Sequence, residues 1–161
     1  MVKELREATG AGVMDAKRAL EEADGNPDVA VKILREKGLE TAASRGDRAT
    51  SQGTVVSYIH GGGRIGALVE VNCETDFVAN TDEFKTLARD ISMQVAAMSP
   101  LVVSVDDRTE DMEGTDEQVV LLSQPFIRDG ATTIGAMIQD SIAKTGENIR
   151  INRFARYELG T

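Results

Sequence analysis

The chain has 161 residues, with 18 Lys plus Arg against 27 Asp plus Glu and a formal net charge of −9. Such a charge repels a phosphate backbone, so direct nucleic-acid binding is not expected; the single cysteine, Cys73, excludes an intramolecular disulfide and a Cys-rich zinc site. Apolar residues are 41% of the total but aromatics only 4%, with no Trp, so a core must be aliphatic, and no apolar run approaches the ~18 residues of a membrane span.

The opening Met1-Val2-Lys3-Glu4-Leu5 brings an acid at once and no apolar stretch after it. No signal peptide is therefore expected there, and the expectation is a soluble, cytoplasmic protein. Residues 1–38 read as a three-helix module. A short helix ends at Thr9-Gly10. Val13, Ala16, Leu20 and Ala23 recur at helical spacing, and Gly25 stops that second helix. Asn26 caps a third helix with Pro27 at its first position, and Gly38 is expected to end it. So few residues make a thin core, which suits a small binding module. Residues 39–52 are small and polar and read as a short helix and linker.

Residues 53–161 form the main α+β unit. Thr54 to His60 and Arg64 to Cys73 flank Gly61-Gly62-Gly63, a hairpin. In the second strand Ile65, Ala67, Val69, Val71 and Cys73 share one face, with Leu68 the apolar exception on the other. Asn80 and Glu83 have cap and N3 spacing before Phe84, Leu87, Ile91, Val95 and Met98, the strongest helical stretch in the chain. Residues 104–118 are acid-rich and read as a solvated loop. Val119 to Leu122 lead to Gln124-Pro125-Phe126. Ile134, Met137, Ile138 and Ile142 make a last helix closed by Gly146. A final strand places Ile149, Ile151, Ala155, Tyr157 and Leu159 on one face. The fold class expected is α+β: three N-terminal helices, then a three-stranded antiparallel sheet with helices packed on one side.

Three candidate sites weaken on inspection. His60-Gly61-Gly62-Gly63-Arg64 lacks the Gly-Lys-Ser/Thr and the following helix of a phosphate loop. Cys73 lies on an apolar strand face with the only histidine, His60, at the other end of the hairpin, which disfavours thiol catalysis. The acidic run lacks the residue order of a calcium loop. Thr75-Asp76-Phe77-Val78 is different: an acid and a large ring between a strand and a helix. Phe77 reads either as a staple packed on the following helix or as a group that presses on a partner.

The chain resembles bacterial elongation factor Ts. The resemblance rests on Val2-Lys3-Glu4-Leu5-Arg6, Thr9-Gly10-Ala11-Gly12-Val13-Met14-Asp15, and Gly25-Asn26-Pro27-Asp28. It continues in Glu70 through Ala79, Gln124-Pro125-Phe126, Gly146-Glu147-Asn148-Ile149 and Arg153-Phe154. It implies a non-enzymatic guanine-nucleotide exchange factor that binds elongation factor Tu, with no cofactor of its own. It also implies that Asp76 and Phe77, framed by Thr75 and Val78, disturb the GTPase's Mg²⁺ site. The N-terminal module, which resembles a ubiquitin-associated three-helix fold, would grip the GTPase through Arg6, Val13 and Met14, with Arg45 a weaker candidate. The region 103–118 is shorter than in many members, and the chain has room for one copy of the sheet unit. The family's short forms pair two chains, so a homodimer through the sheet domain is expected. A non-catalytic adaptor is the rival reading; the Thr75–Val78 segment is what separates the two.

Overall fold

A computed structural model describes all 161 residues. The chain divides into two compact units: residues 1–48 with 139–148, and residues 49–138 with 149–161. No helix is long and apolar enough to cross a membrane.

The first unit contains α1 (Val2–Thr9), α2 (Val13–Glu22) and α3 (Pro27–Arg45). Gly10 ends α1 in the left-handed conformation, and its N–H donates to the Arg6 carbonyl. The Asn26 side chain accepts from the N–H groups of Asp28 and Val29, so α3 has the cap and Pro start that the sequence predicts. The core is small and alanine-rich: Leu5, Ala16, Ala19, Leu20, Ala23 and Ala30, flanked by Val2, Ile33 and Leu34. Val13 is exposed, so the buried face of α2 begins at Ala16, not at Val13.

Helix α3 runs straight through Gly38. The expected stop there is absent for a packing reason: a Cβ at position 38 would lie 3.0 Å from the Ala143 Cβ. Glycine marks a close approach to residues 139–148, which complete this unit, and not the end of a helix. Of the residues read as helix and linker at 39–52, 39–45 thus continue α3, and 46–51 are the non-helical connection that follows. Buried Asn148 ties down the turn that follows α3, donating to the carbonyls of Gly46 (3.1 Å) and Arg48 (2.8 Å).

The second unit is built on a three-stranded antiparallel sheet, order β1 (Gln52–His60), β2 (Ile65–Cys73), β5 (Ile149–Glu158). The β1–β2 connection is a turn of Gly61, Gly62 and Gly63, all at positive φ (58°, 69° and 87°), where a side chain would be strained. Ala67, Val69, Val71 and Cys73 are buried on one face. That face is covered by α5 (Asp82–Met98), which buries Phe84, Leu87, Ile91 and Val95. Met98, expected on the same face, is exposed. The N-cap is Thr81, not Asn80: its hydroxyl accepts from the Phe84 N–H, while Asn80 ends the preceding short helix.

Two more helices, α4 (Asp76–Ala79) and α6 (Asp116–Val119), precede a two-stranded hairpin, β3 (Pro125–Phe126) with β4 (Asp129–Thr133). Helix α7 (Ile134–Thr145) follows, with Ile134, Ile138 and Ile142 buried and Gly146 after its last turn. The acid-rich stretch is exposed yet organised. Arg108 pairs with Asp116 and donates to the carbonyls of Met112 and Gly114, and capping boxes form at Ser104/Asp107 and Thr115/Gln118. A buried amide pair joins α5 to the segment before β3. Gln94 Nε2 donates to Gln124 Oε1 and to the Pro125 carbonyl, and Gln94 Oε1 accepts from Ile127 N–H.

Strand β5 corrects the sequence reading. A bulge opposite Glu70/Val71 leaves Asn152 as an extra residue, and the faces exchange there. Ile149 and Ile151 pair with Cys73 and Val71 on the covered face, and Phe154 pairs with Val69 on that face. Ala155 and Tyr157 pair with Leu68 and Gly66 on the other. The single apolar face expected from Ile149 to Leu159 is thus split between both sides of the sheet.

Candidate functional site

Phe77 is 81% exposed, the most exposed large apolar side chain in the protein. Strand β2 ends at Cys73, and Thr75 caps α4, its Oγ1 accepting from the Val78 N–H at 3.3 Å. Within that single turn Val78 and Ala79 point inward and are buried, while Asp76 and Phe77 point outward. The staple reading of Phe77 is excluded, because a ring packed on α5 could not be so exposed. An outward carboxylate beside an outward ring, on a turn anchored by its other two residues, forms a small convex tip.

The N-terminal candidates lie in the first unit. Arg6 is exposed near the end of α1, and its Nε donates to the Ala11 carbonyl at 3.4 Å, over the α1–α2 loop. Val13 and Met14, at the start of α2, are 52% and 60% exposed, so neither serves the small core. Arg45 differs from these three. It is half-buried, and its Nη1 is buried without a hydrogen-bond partner, close to the backbone of Gly146 at the end of α7. A cation there faces the negative end of the helix dipole.

His60 and Cys73 sit at opposite ends of the hairpin, paired with Ile65 and Gln52. His60 stacks on Tyr58 and bonds its hydroxyl through Nδ1. The Cys73 thiol is buried and donates to the Thr75 carbonyl at 3.1 Å. These partners give both residues structural roles, apart from any nucleophile–base pair.

A second feature is the uncovered face of the sheet. Val55, Ile59, Leu68, Tyr157 and Leu159 are exposed there, around a shallow depression of about 470 Å³. At its polar end Arg153 Nε donates to Glu70 Oε2 at 2.8 Å, and Asn72 donates to the other oxygen. The hydrogen bonds from Arg153, Asn152 and Asn72 hold the Glu70 carboxyl below its ordinary value of 4.5. In the sequence, Leu68 on β2 and Arg153, which interrupts the apolar pattern of the last strand, are the signals for this face. The bulge that brings Tyr157 to it is not visible in a pattern of alternation.

The sequence model of the family described as Elongation factor TS matches residues 28–113, more than half of the chain. Elongation factor Ts of Carboxydothermus hydrogenoformans is 50% identical over 190 residues, covering 99% of this chain and 88% of the relative. Those of Heliobacterium modesticaldum (46%; 99% and 88%) and Thermotoga petrophila (46% over 188 residues; 99% and 94%) are similarly related. The chain belongs to the elongation factor Ts family. Membership makes it a factor of translation elongation, and an exchange factor rather than an enzyme in the usual sense. The aligned stretches exceed the 161 residues of this chain, so these elongation factor Ts relatives carry residues that it lacks.

Proposed function

We propose that the protein is the guanine-nucleotide exchange factor of elongation factor Tu, acting in the cytoplasm or an organellar equivalent. It binds the GDP complex and promotes GDP release, so that GTP can bind. The observation that carries the proposal is the exposed Asp76–Phe77 tip in a chain of this family.

Mg²⁺ bridges the phosphates and switch residues of a GTPase. In this mechanism the Phe77 ring enters near that ion and shifts the elements that hold it, while the Asp76 carboxylate competes for the polar contacts around it. Thr75 and Val78 frame the tip, one by capping the turn and the other by anchoring it. Arg6, Val13 and Met14 bind the GTPase from the N-terminal unit: an Arg fork and two adaptable apolar side chains. Arg45, being half-buried beside Gly146, supports that unit from inside instead.

The factor acts by linkage: if it binds the nucleotide-free partner more tightly, GDP must weaken its binding by the same ratio. A ten-thousandfold shift needs about 5.5 kcal/mol of differential interaction. One buried aromatic supplies about 1.5–3 kcal/mol. Phe77 therefore supplies part, and the remaining interface must supply the rest.

The uncovered sheet face carries the second half of the proposal, a homodimer. A two-fold contact places the same patch on both chains, and the patch centred on Leu68 and Tyr157 is apolar and without a cover. The activity test is release of fluorescent GDP from elongation factor Tu with and without the protein. Acceleration that saturates with concentration is expected, and an unchanged rate would refute the assignment. Light scattering should give the mass of two chains; a concentration-independent monomer would refute the dimer.

A further inference from the structure

The turn that bears Phe77 is far too short to hold itself, since isolated helices need about 12–15 residues even in favourable sequences. Its few backbone bonds, from Ala79, Asn80 and Thr81 N–H to the Thr75, Asp76 and Val78 carbonyls, are reinforced by side chains outside it. On the strand side the buried Cys73 thiol donates to the Thr75 carbonyl (3.1 Å), and Thr75 in turn caps Val78. On the helix side Asn80 Nδ2 donates to the Asp76 carbonyl (2.9 Å), and Thr81 Oγ1 donates to the Val78 carbonyl (2.8 Å). The same Thr81 oxygen accepts from the Phe84 N–H (3.2 Å), so one hydroxyl closes α4 and opens α5. Both carbonyls also accept from the backbone, the Asp76 carbonyl from Asn80 N–H and the Val78 carbonyl from Thr81 N–H (3.0 Å each), so each side chain adds a second bond to a carbonyl at the helix end. The backbone carrying Asp76 and Phe77 is fixed at both ends while the ring itself touches little.

We propose that Asn80 and Thr81 are positioning residues for nucleotide exchange: by adding a second, side-chain bond to the Asp76 and Val78 carbonyls, they fix the direction in which Asp76 and Phe77 leave the surface. The inference rests on the reading of Phe77 as the tip that acts on the GTPase. A loosened turn still allows the wider interface to dock, but the turn must then be ordered as it presses inward. The cost of that ordering falls on the exchange step more than on binding.

The chain has no Trp, so Phe77→Trp installs a single reporter at the tip. Nanosecond fluorescence anisotropy of the free protein reads its local motion. The deciding variant is the pair Asn80→Ala with Thr81→Asp. The carboxylate still accepts from Phe84 N–H, so α5 keeps its cap, but it cannot donate to the Val78 carbonyl. Fast motion at the tip is expected to grow in the pair, and to stay as it was in the conservative Thr81→Ser, which keeps both bonds.

On the Phe77 background, the pair is expected to lower the maximal rate of GDP release about fivefold or more, with the half-saturating concentration held within about twofold; Thr81→Ser restores the rate. If the pair fails to fold, Asn80→Ala alone decides, because Asn80 is exposed. Unchanged tip motion together with an unchanged maximal rate would overturn the inference. Phe77→Ala run in parallel separates the two claims. Full exchange by that variant would remove Phe77 from the mechanism, while the anisotropy still decides whether Asn80 and Thr81 hold the turn. Slow exchange by Phe77→Ala with normal exchange by the pair would remove the positioning role alone.

Discussion

Phe84 and Phe77 lie on neighbouring helices of one unit and meet opposite fates. Phe84 is 1% exposed under α5, against the covered face of the sheet; Phe77 stands on the tip, with nearly all of its surface in water. The sheet repeats the contrast. Val69 and Val71 are fully buried on one side, while Leu68 and Tyr157 are open on the other. The covered surface accounts for why this unit folds. The uncovered surface contributes little to folding, so its apolar character needs another explanation, and binding supplies it.

The contrast can be broken at its strong end first. Phe84→Ala should destabilise the second unit by about 3–5 kcal/mol, as expected for an emptied core site. Denaturant unfolding of Phe77→Ala should show almost no change. Comparable losses in both would mean that Phe77 packs after all. The next largest effect concerns the open face. Leu68→Glu should leave the unfolding free energy of the single chain nearly intact but weaken dimerisation by roughly a hundredfold or more, because it buries an unpaired carboxylate in the contact. Sedimentation equilibrium that found the same dimer would place the second copy elsewhere.

The smallest effect lies at the polar end of that face. The folded Glu70 carboxyl is held below 4.5 by Arg153, Asn152 and Asn72, so its contribution is present above the unfolded carboxyl's pKa and disappears as pH falls through the lower folded value. The difference in thermal midpoint between the wild type and Glu70→Gln should therefore be greatest near neutral pH and close as pH falls through the lowered folded value, below the ordinary 4.5. A difference that persisted in stronger acid would assign it to packing instead of charge.

Local chemistry made much of this legible. The triple-glycine hairpin, the Asn26-Pro27 helix start and the apolar step from Phe84 to Val95 are all in the sequence, because each depends on neighbouring residues. The failures depend on distant ones. Gly38 lies inside a helix because Ala143 comes close, and Tyr157 lies on the open face because Asn152 is inserted opposite Glu70/Val71. The hairpin of β3 and β4 has no sequence signature because two residues at Pro125-Phe126 carry no period and its turn, Ile127-Arg128, has no turn-favouring residue.

For the candidate site, the residue types at 75–78 marked the segment, but no pattern decides whether a lone ring folds inward or out. The cap of α5 is Thr81, one residue later than the spacing of Asn80 and Glu83 suggests, because both Asn and Thr can cap a helix.

The most direct test of the account is stopped-flow release of fluorescent GDP from elongation factor Tu, at saturating concentrations of the wild-type protein and of Phe77→Ala. The account predicts that the variant still binds the GTPase but releases GDP roughly ten- to a hundredfold more slowly, the equivalent of about 1.5–3 kcal/mol for one buried ring. Equal release rates for the two proteins would contradict it.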